Sequence, residues 1–166
     1  MSLPIHLEVI QAKRRSEGGG GGAWYESLAA GDVTAGIENY TNSLRNSPVT
    51  LGAGNVTKLA AYKYTHSYGC DVRIGLYKAS DRSLVVQGVI TTTGTGWNEV
   101  TVTSTAVSAG SYLLACTGVA GLDKIGISST VGTRAYYYVA FNPLPDPLPT
   151  NQGSETGALA LRAYVE

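Results

Sequence analysis

The sequence predicts an all-β fold, an antiparallel β-sandwich of about ten short strands. Apolar and polar residues alternate along many short runs, as they do in strands that bury one face. Small, turn-forming residues separate these runs at intervals of roughly 8 to 12 residues, which is typical of sandwiches. The composition agrees, because the chain of 166 residues has 21 glycines and 11 tyrosines but one phenylalanine. This length suits one domain with its own core.

Residues 1–22 differ from the rest and predict a flexible tether, which leaves the β-sandwich domain at 23–166. The tether combines an apolar stretch at 4–10, a Lys-Arg-Arg cluster at 13–15 and five glycines at 18–22. A short basic cluster beside glycines is more typical of a solvated linker than of a contact with an anionic surface. The apolar stretch is alternatively a segment that pairs with a neighbouring subunit or with the rest of a longer parent chain.

Ten runs beyond the tether are predicted strands, each from its alternation and its flanking turns. They are 24–28, 37–44, 56–65, 70–78, 84–92, 97–104, 111–117, 125–129, 134–141 and 158–165. In the last run Leu161, Ala163 and Val165 fall on one face, whereas Arg162 and Tyr164 fall on the other. A terminal strand patterned this clearly should lie beside early strands and close a sheet, since an unpaired terminus would fray.

The region 70–117 is the most informative, because four alternating runs follow one another with turns between them. Val72, Ile74 and Leu76 share one face of the first run, and Val100 and Val102 repeat the pattern in the third. The turns carry small residues such as those at 79–81, 94–96 and 108–110. These features predict a continuous antiparallel meander.

The same region resembles a known group of modules at positions spread over all four runs. The matching positions are Val72, Arg73, Leu76, Tyr77, Asp81, Gly96, Trp97, Val100, Gly110, Tyr112 and Leu114. They resemble jelly-roll modules of bacterial and phage extracellular proteins, of the DUF4082-like and carbohydrate-binding-module-like kind. The resemblance implies a β-sandwich of jelly-roll type that serves as an accessory or surface module, often binding glycans or acting as a structural spacer.

Cys70 opens the first of the four runs and Cys116 closes the last. If these runs lie side by side and antiparallel, as in jelly rolls, the two cysteines are cross-strand neighbours on the inward face. A disulfide suited to an exported protein and a pair of buried thiols are both consistent with this placement.

The charge balance and the short apolar runs argue against two kinds of partner, nucleic acid and a membrane that the chain would span. Charged residues make up 14% of the chain, and Lys plus Arg equals Asp plus Glu at 12 each. Without a surplus positive field, nucleic acid is not an expected partner. No run approaches the ~20 apolar residues of a membrane span. An extracellular or virion-surface location is favoured, as the resemblance implies.

Nothing in the sequence names a reaction. His6 and His66 have no sequence-near partner that would form a triad or a metal cluster, and the common catalytic and nucleotide-binding motifs are absent. We therefore expect no enzyme activity, no cofactor and no metal. The loop aspartates Asp32, Asp71, Asp81 and Asp123 are not clustered as in a calcium loop. Asp81 instead predicts an Asx-type turn.

Glycan binding is the leading functional hypothesis, because sugars stack their C–H faces on exposed aromatic rings. Trp97 lies on the opposite strand face from Val100 and Val102, beside Asn98 and Glu99, and could form a stacking platform. Trp24 is a second, less defined candidate. The alternative for Trp97 is that its large ring caps the open end of the sandwich under a loop.

The segment 142–157 has four prolines within seven residues. Proline donates no ladder hydrogen bond and prefers extended backbone, so this segment predicts an ordered crossing loop or polyproline-like strap rather than a strand. A peptide-docking motif is the alternative.

Two functions follow from these observations. The first is a non-catalytic surface-recognition module that binds carbohydrate, within a larger extracellular or surface protein. The second is a structural module of a phage fibre or virion protein that assembles as a homotrimer through its apolar N-terminal segment and uncharged faces.

Overall fold

The computed structural model describes residues 14–15, 21–38, 43–65, 71–91, 93–118, 124–137 and 143–166. These residues form two antiparallel sheets that pack face to face, and the single helix among them is a 3-10 turn at Ala30–Asp32. The predicted all-β sandwich is therefore confirmed. Within the same residues, no helix has the length and apolar character needed to cross a membrane.

The described residues form thirteen strands. In chain order they are β1 (Arg14–Arg15), β2 (Ala23–Glu26), β3 (Ala35–Glu38), β4 (Leu44–Leu51), β5 (Gly54–Thr65), β6 (Val72–Lys78), β7 (Leu84–Ile90), β8 (Gly96–Val107), β9 (Gly110–Gly118), β10 (Lys124–Ile127), β11 (Thr133–Tyr137), β12 (Gly153–Thr156) and β13 (Leu161–Val165). The first sheet has the order β1-β2-β13-β5-β10-β3, with β8 on the other side of β5. The second sheet has the order β12-β11-β4-β9-β6-β7.

The last strand occupies the middle of the first sheet. β13 pairs with β2 on one side and with β5 on the other, so the prediction that it closes the sheet beside early strands is confirmed. Leu161, Ala163 and Val165 are buried in the main core, and Arg162 and Tyr164 point to the outer face. The alternation read from the sequence therefore gives the correct faces.

The prediction of a continuous meander over 70–117 is wrong in one respect. β6 pairs with both β7 and β9, as expected for runs that share a sheet, but β8 pairs with β5 in the opposite sheet. The chain thus crosses between sheets after β7 and returns before β9. Alternation is a local property that identifies a strand, whereas its pairing partner is decided by distant residues. The jelly-roll connection of the whole sandwich stays a prediction.

The main core lies between the two sheets and contains the inward residues of nearly every long strand. Its fully buried members include Leu59, Ile74, Leu76, Leu114 and Leu161. Val100 and Val102 pack against this core from the edge strand β8. Burying such side chains contributes roughly 1.5–3 kcal/mol each, so the alternating runs supply most of the driving force for folding.

Three of the described strands were not predicted as such, and β4 shows why. Its buried positions include Arg45, Asn46 and Ser47, which the sequence presents as a polar run followed by Pro48. Hydrogen bonds satisfy these groups: the Asn46 amide donates to the Tyr137 hydroxyl at 3.2 Å, and the Ser47 hydroxyl donates to the Thr133 carbonyl at 3.2 Å. The others are β1, which lies within the predicted tether, and β12, which lies within the segment predicted to be free of strands.

The tether prediction is described only in part. Within 1–22 the structure describes 14–15 and 21–22, and Arg14–Arg15 pairs with Tyr25 and Trp24 of β2. The apolar stretch at 4–10 and most of the glycine run lie outside the described residues.

The proline-rich segment forms an ordered strap across the outer face of the second sheet. Leu144 and Leu148 are 3% and 2% exposed and pack against Leu44, Tyr77 and Tyr137. The Tyr77 hydroxyl donates to the Pro145 carbonyl at 2.9 Å. The predicted strap is thus confirmed for residues 143–150, and we call the surface beneath it the strap face.

A polar cluster holds the far end of the strap. Arg82, which has a left-handed backbone with φ 64°, donates from Nη2 to the Tyr137 hydroxyl at 2.5 Å and to Asn151 Oδ1 at 2.6 Å. The Tyr137 hydroxyl in turn donates to Asn151, and the Leu148 amide donates to the Arg82 carbonyl at 2.8 Å. Because these groups satisfy one another, the strap is docked by both apolar burial and hydrogen bonds.

Candidate functional site

Aromatic rings collect on the outer face of the first sheet, which we call the aromatic face. Its members come from the outward positions of β2, β5, β8 and β13. They are Trp24, Tyr62, Tyr64, Trp97, Tyr164 and the cation Arg162. The inward residues of the same strands fill the core, so a period of two in the sequence brings the rings together on one surface.

Trp97 faces away from the core, as its position relative to Val100 and Val102 predicts. Its half-buried indole meets the Tyr62 ring edge-on, with centroids 5.5 Å apart and an interplanar angle of 87°. The two residues are direct cross-strand partners on β8 and β5. Edge-to-face pairs at this distance are favourable, so the indole is fixed from one side.

Arg162 fixes the indole from another side. Its guanidinium carbon lies 4.3 Å from the Trp97 ring centroid and 3.9 Å from that of Trp24. The Arg162 Nη1 atom also lies 3.6 Å from Glu26 Oε1, and the two side chains are 10% and 2% exposed. A cation between two indoles and beside a buried carboxylate therefore forms the centre of the aromatic face.

Trp24, the second candidate ring, is itself covered. It is 5% exposed and packs against Tyr164 with ring centroids 5.2 Å apart, and the Arg162 guanidinium lies over its ring. The structure thus brings Trp24 and Trp97 to one face through Arg162, but only Trp97 keeps a partly open ring.

Asn98 and Glu99, the predicted polar neighbours of Trp97, occupy different places. Asn98 is 7% exposed, accepts from the Thr93 amide at 2.9 Å and donates to the carbonyls of Gly94 and Gly96. Its amide therefore organises the turn before β8. Glu99 lies on the outer face and pairs with Lys58 at 2.9 Å, with the two side chains 48% and 38% exposed. Of the two, Glu99 shares the face of Trp97.

Tyr62 and Tyr64 extend the aromatic face over a pair of glycines. Gly36 of β3 and Gly126 of β10 are direct cross-strand partners. A Cβ at Gly126 would lie 2.9 Å from the Tyr62 ring, and one at Gly36 would lie 2.6 Å from the Tyr64 ring. The rings occupy space that any other residue pair would fill, and Tyr64 remains 42% exposed. Glycines within short strands are the sequence signal for such close approach.

A small apolar cluster borders Trp97. Leu28, from the segment after β2, packs with Ala158 and Ala160, and Val33, Tyr62 and Trp97 pack against it. Part of the Trp97 side chain is therefore covered by this cluster, and part is open on the outer face.

Of the two cysteines, Cys116 lies among the described residues. Cys116 is a buried free thiol opposite Ile74 of β6, and burial raises its pKa to about 12. Cys70 lies outside the described residues, so the relation between the two stays a prediction. A thiol with so high a pKa is not a nucleophile at neutral pH.

Among the loop aspartates, Asp81 forms a turn. Asp81 accepts from the Ser83 amide at 2.9 Å and from the Ser83 hydroxyl at 2.7 Å, which confirms the Asx-type turn. These hydrogen bonds lower the pKa of Asp81. In the described part of the chain, no group of three His, Cys, Asp or Glu side chains is arranged to hold a metal ion. Asp123 and His66 lie outside it.

The chain matches no protein-family model and no curated protein sequence.

Proposed function

We propose that this chain is a non-catalytic surface-recognition module that binds carbohydrate through the aromatic face. The observation that carries the proposal is the half-buried Trp97 indole, which is held on an outward surface by Arg162 and Tyr62. Sugar rings present C–H faces that stack on such a ring, and a ring that is already fixed loses little freedom on binding.

Neighbouring groups on the same face supply what a sugar needs besides stacking. Glu99 and Lys58 are exposed, oppositely charged and able to exchange hydrogen bonds with hydroxyl groups. Tyr64 offers a second open ring. One anchor ring with a few convergent polar groups is the usual composition of a small-molecule site.

The proposal includes a jelly-roll module of a larger extracellular or virion-surface protein. This part of it is supported by the resemblance of residues 72–115 alone. The sandwich with β6 beside β9 is compatible with such modules.

The test is retention in native affinity gels that contain mixed-linkage β-glucan, xylan, galactomannan or soluble starch. We expect at least one polysaccharide to retard the wild-type chain and Trp97→Ala to abolish the retardation. Tyr136→Ala is the matched control, because Tyr136 is a half-buried ring in the second sheet. Failure of all four gels and of a glycan array to capture the wild-type chain would overturn the proposal.

The alternative proposal is a structural module that assembles as a homotrimer. Such an assembly needs an apolar contact surface, and the described residues expose only Tyr64 and Val131 among large hydrophobic side chains. Light scattering of the full chain, and of a chain without residues 1–22, distinguishes the two. A trimer that dissociates on this deletion favours the structural role, and a monomer favours the binding module.

A further inference from the structure

We propose that Arg162 is the positioning residue of the aromatic face: it sets the orientation of Trp97 by linking that indole to Trp24 and Glu26. The inference rests on the proposed function and deepens it, because it names the group that keeps the recognition surface rigid.

The first support is the position of the guanidinium. It lies 3.9 Å from the Trp24 centroid and 4.3 Å from the Trp97 centroid, both well within the ~6 Å limit of a cation–π contact. Trp24 belongs to β2 and Trp97 to β8, with β13 and β5 between these strands. One side chain thus joins two rings that originate on distant strands.

The second support is that Arg162 is itself held in place. It is the direct cross-strand partner of Glu26, and their charged groups lie 3.6 Å apart with almost no exposure. Charged groups this deeply buried are confined by their partner, because separating them would leave an uncompensated charge. The planar guanidinium is therefore held in a fixed position, unlike a mobile cation at the surface.

The third support is what would remain without it. On the other side of Arg162, the cross-strand partner in β5 is Ala60, whose side chain is a methyl group. Removing the guanidinium would leave a gap between the two indoles that Ala60 is too small to fill. Trp97 would then keep its contacts with Tyr62 and with the apolar cluster around Leu28, but it would lose the guanidinium over its ring and could tilt.

The experiment compares Arg162→Met, Arg162→Lys and the double variant Glu26→Gln with Arg162→Met. Each is made in the wild-type chain for affinity gels with the polysaccharide that retards it best. Each is also made in a Trp24→Phe background, where Trp97 is the sole tryptophan and its quenching by acrylamide reports ring mobility. Arg134→Met is the matched control, since Arg134 is also 10% exposed and paired with a carboxylate, Glu155, but in the second sheet.

We expect Arg162→Met to weaken binding about tenfold, which corresponds to the loss of a desolvated cation–π contact. Acrylamide quenching of Trp97 should rise in parallel, and Arg162→Lys should not restore either property, because an ammonium cannot stack as a plate. The double variant removes the stranded Glu26 charge and should recover stability without recovering affinity or low quenching. The Arg134 control should leave the quenching of Trp97 unchanged.

A double variant with wild-type quenching and wild-type retention would overturn the inference, since Arg162 would then act only on stability. If no gel retards the wild-type chain, the proposed function fails, and the quenching comparison alone decides whether Arg162 positions Trp97.

Discussion

The outer faces of the two sheets are covered in different ways. On the strap face, Leu144 and Leu148 bury the apolar surface of the second sheet almost completely. On the aromatic face, the sheet is covered by its own side chains, which include aromatic rings and a buried ion pair. Trp97 and Tyr64 keep part of their surface exposed. Among the described residues, one outer face is therefore covered by a chain segment, whereas the other is covered by its own side chains and leaves two aromatic rings partly open.

The strap leaves its own mark on the second sheet. A Cβ at Gly75 of β6 would lie 2.6 Å from the Leu144 side chain, so the glycine makes room for the strap. On the aromatic face, Gly36 and Gly126 make room for rings instead. The same residue type therefore admits a chain segment on one face and aromatic side chains on the other.

Truncating the two tryptophans of the aromatic face should change stability by different amounts, and this is the largest change that we expect. Trp24→Ala should lower the free energy of unfolding by about 3–5 kcal/mol, as truncation of a buried aromatic does. Trp97→Ala should cost less stability, because part of its ring already faces water, and should instead remove binding. Urea unfolding measures both, and equal losses of stability in the two variants would contradict the assignment of Trp97 as the open ring.

The next effect tests the strap. Leu148→Ala should lower the free energy of unfolding by about 2–5 kcal/mol, because a fully buried leucine leaves a cavity between the strap and the second sheet. Val131→Ala, at a position 43% exposed, should stay within about 0.5 kcal/mol of wild type. Affinity for polysaccharide should be unchanged in both. A strap that contributes no stability would give two indistinguishable urea midpoints.

The smallest change that we expect is a loss of stability at alkaline pH, which arises from two residues of the second sheet. Burial raises the pKa of Tyr77, and burial raises the pKa of Cys116 to about 12. The folded chain therefore keeps these protons after the unfolded chain has lost them. Stability is full below the ordinary cysteine value near 9.0 and falls as pH rises through the ordinary tyrosine value near 10.0.

Tyr77→Phe isolates the tyrosine part of this effect. At pH 7 it should cost about 1 kcal/mol, because the hydrogen bond to the Pro145 carbonyl is lost. Between pH 9 and about 11.5 its free energy of unfolding should fall less steeply than that of wild type. Urea unfolding across this range decides the matter, and parallel curves would show that the Tyr77 proton is not linked to folding.

Most strands were predictable because alternation is a local signal. Ile74, Val102 and Leu161 are each placed on the correct face by their neighbours two residues away. β4 escaped because its buried residues are polar, and their hydrogen-bond partners, Tyr137 and Thr133, lie more than eighty residues later in the chain. The sheet membership of β8 escaped because pairing with β5 or with β7 satisfies the same alternation.

In the candidate site, the outward direction of Trp97 was predictable from the sequence, but the contacts that hold its ring were not. The outward direction of Trp97 follows from its offset from two valines, but no spacing rule predicts that Arg162 lies between Trp24 and Trp97. These three residues are far apart in the sequence and meet only because β13 inserts between β2 and β5. Asn98 is adjacent to Trp97 in the sequence but does not share its face, because successive side chains of a strand point to opposite faces of the sheet.

The central position of β13 also has a consequence for biosynthesis. β2 and β5 leave the ribosome early, yet the strand that joins them is made after every other described strand. Until then both present unsatisfied backbone edges, which are templates for misassembly. Closing this sheet also requires contacts between segments separated by most of the chain, and such topologies fold slowly. The pairing that covers these edges of β2 and β5 therefore has to wait until β13 has left the ribosome.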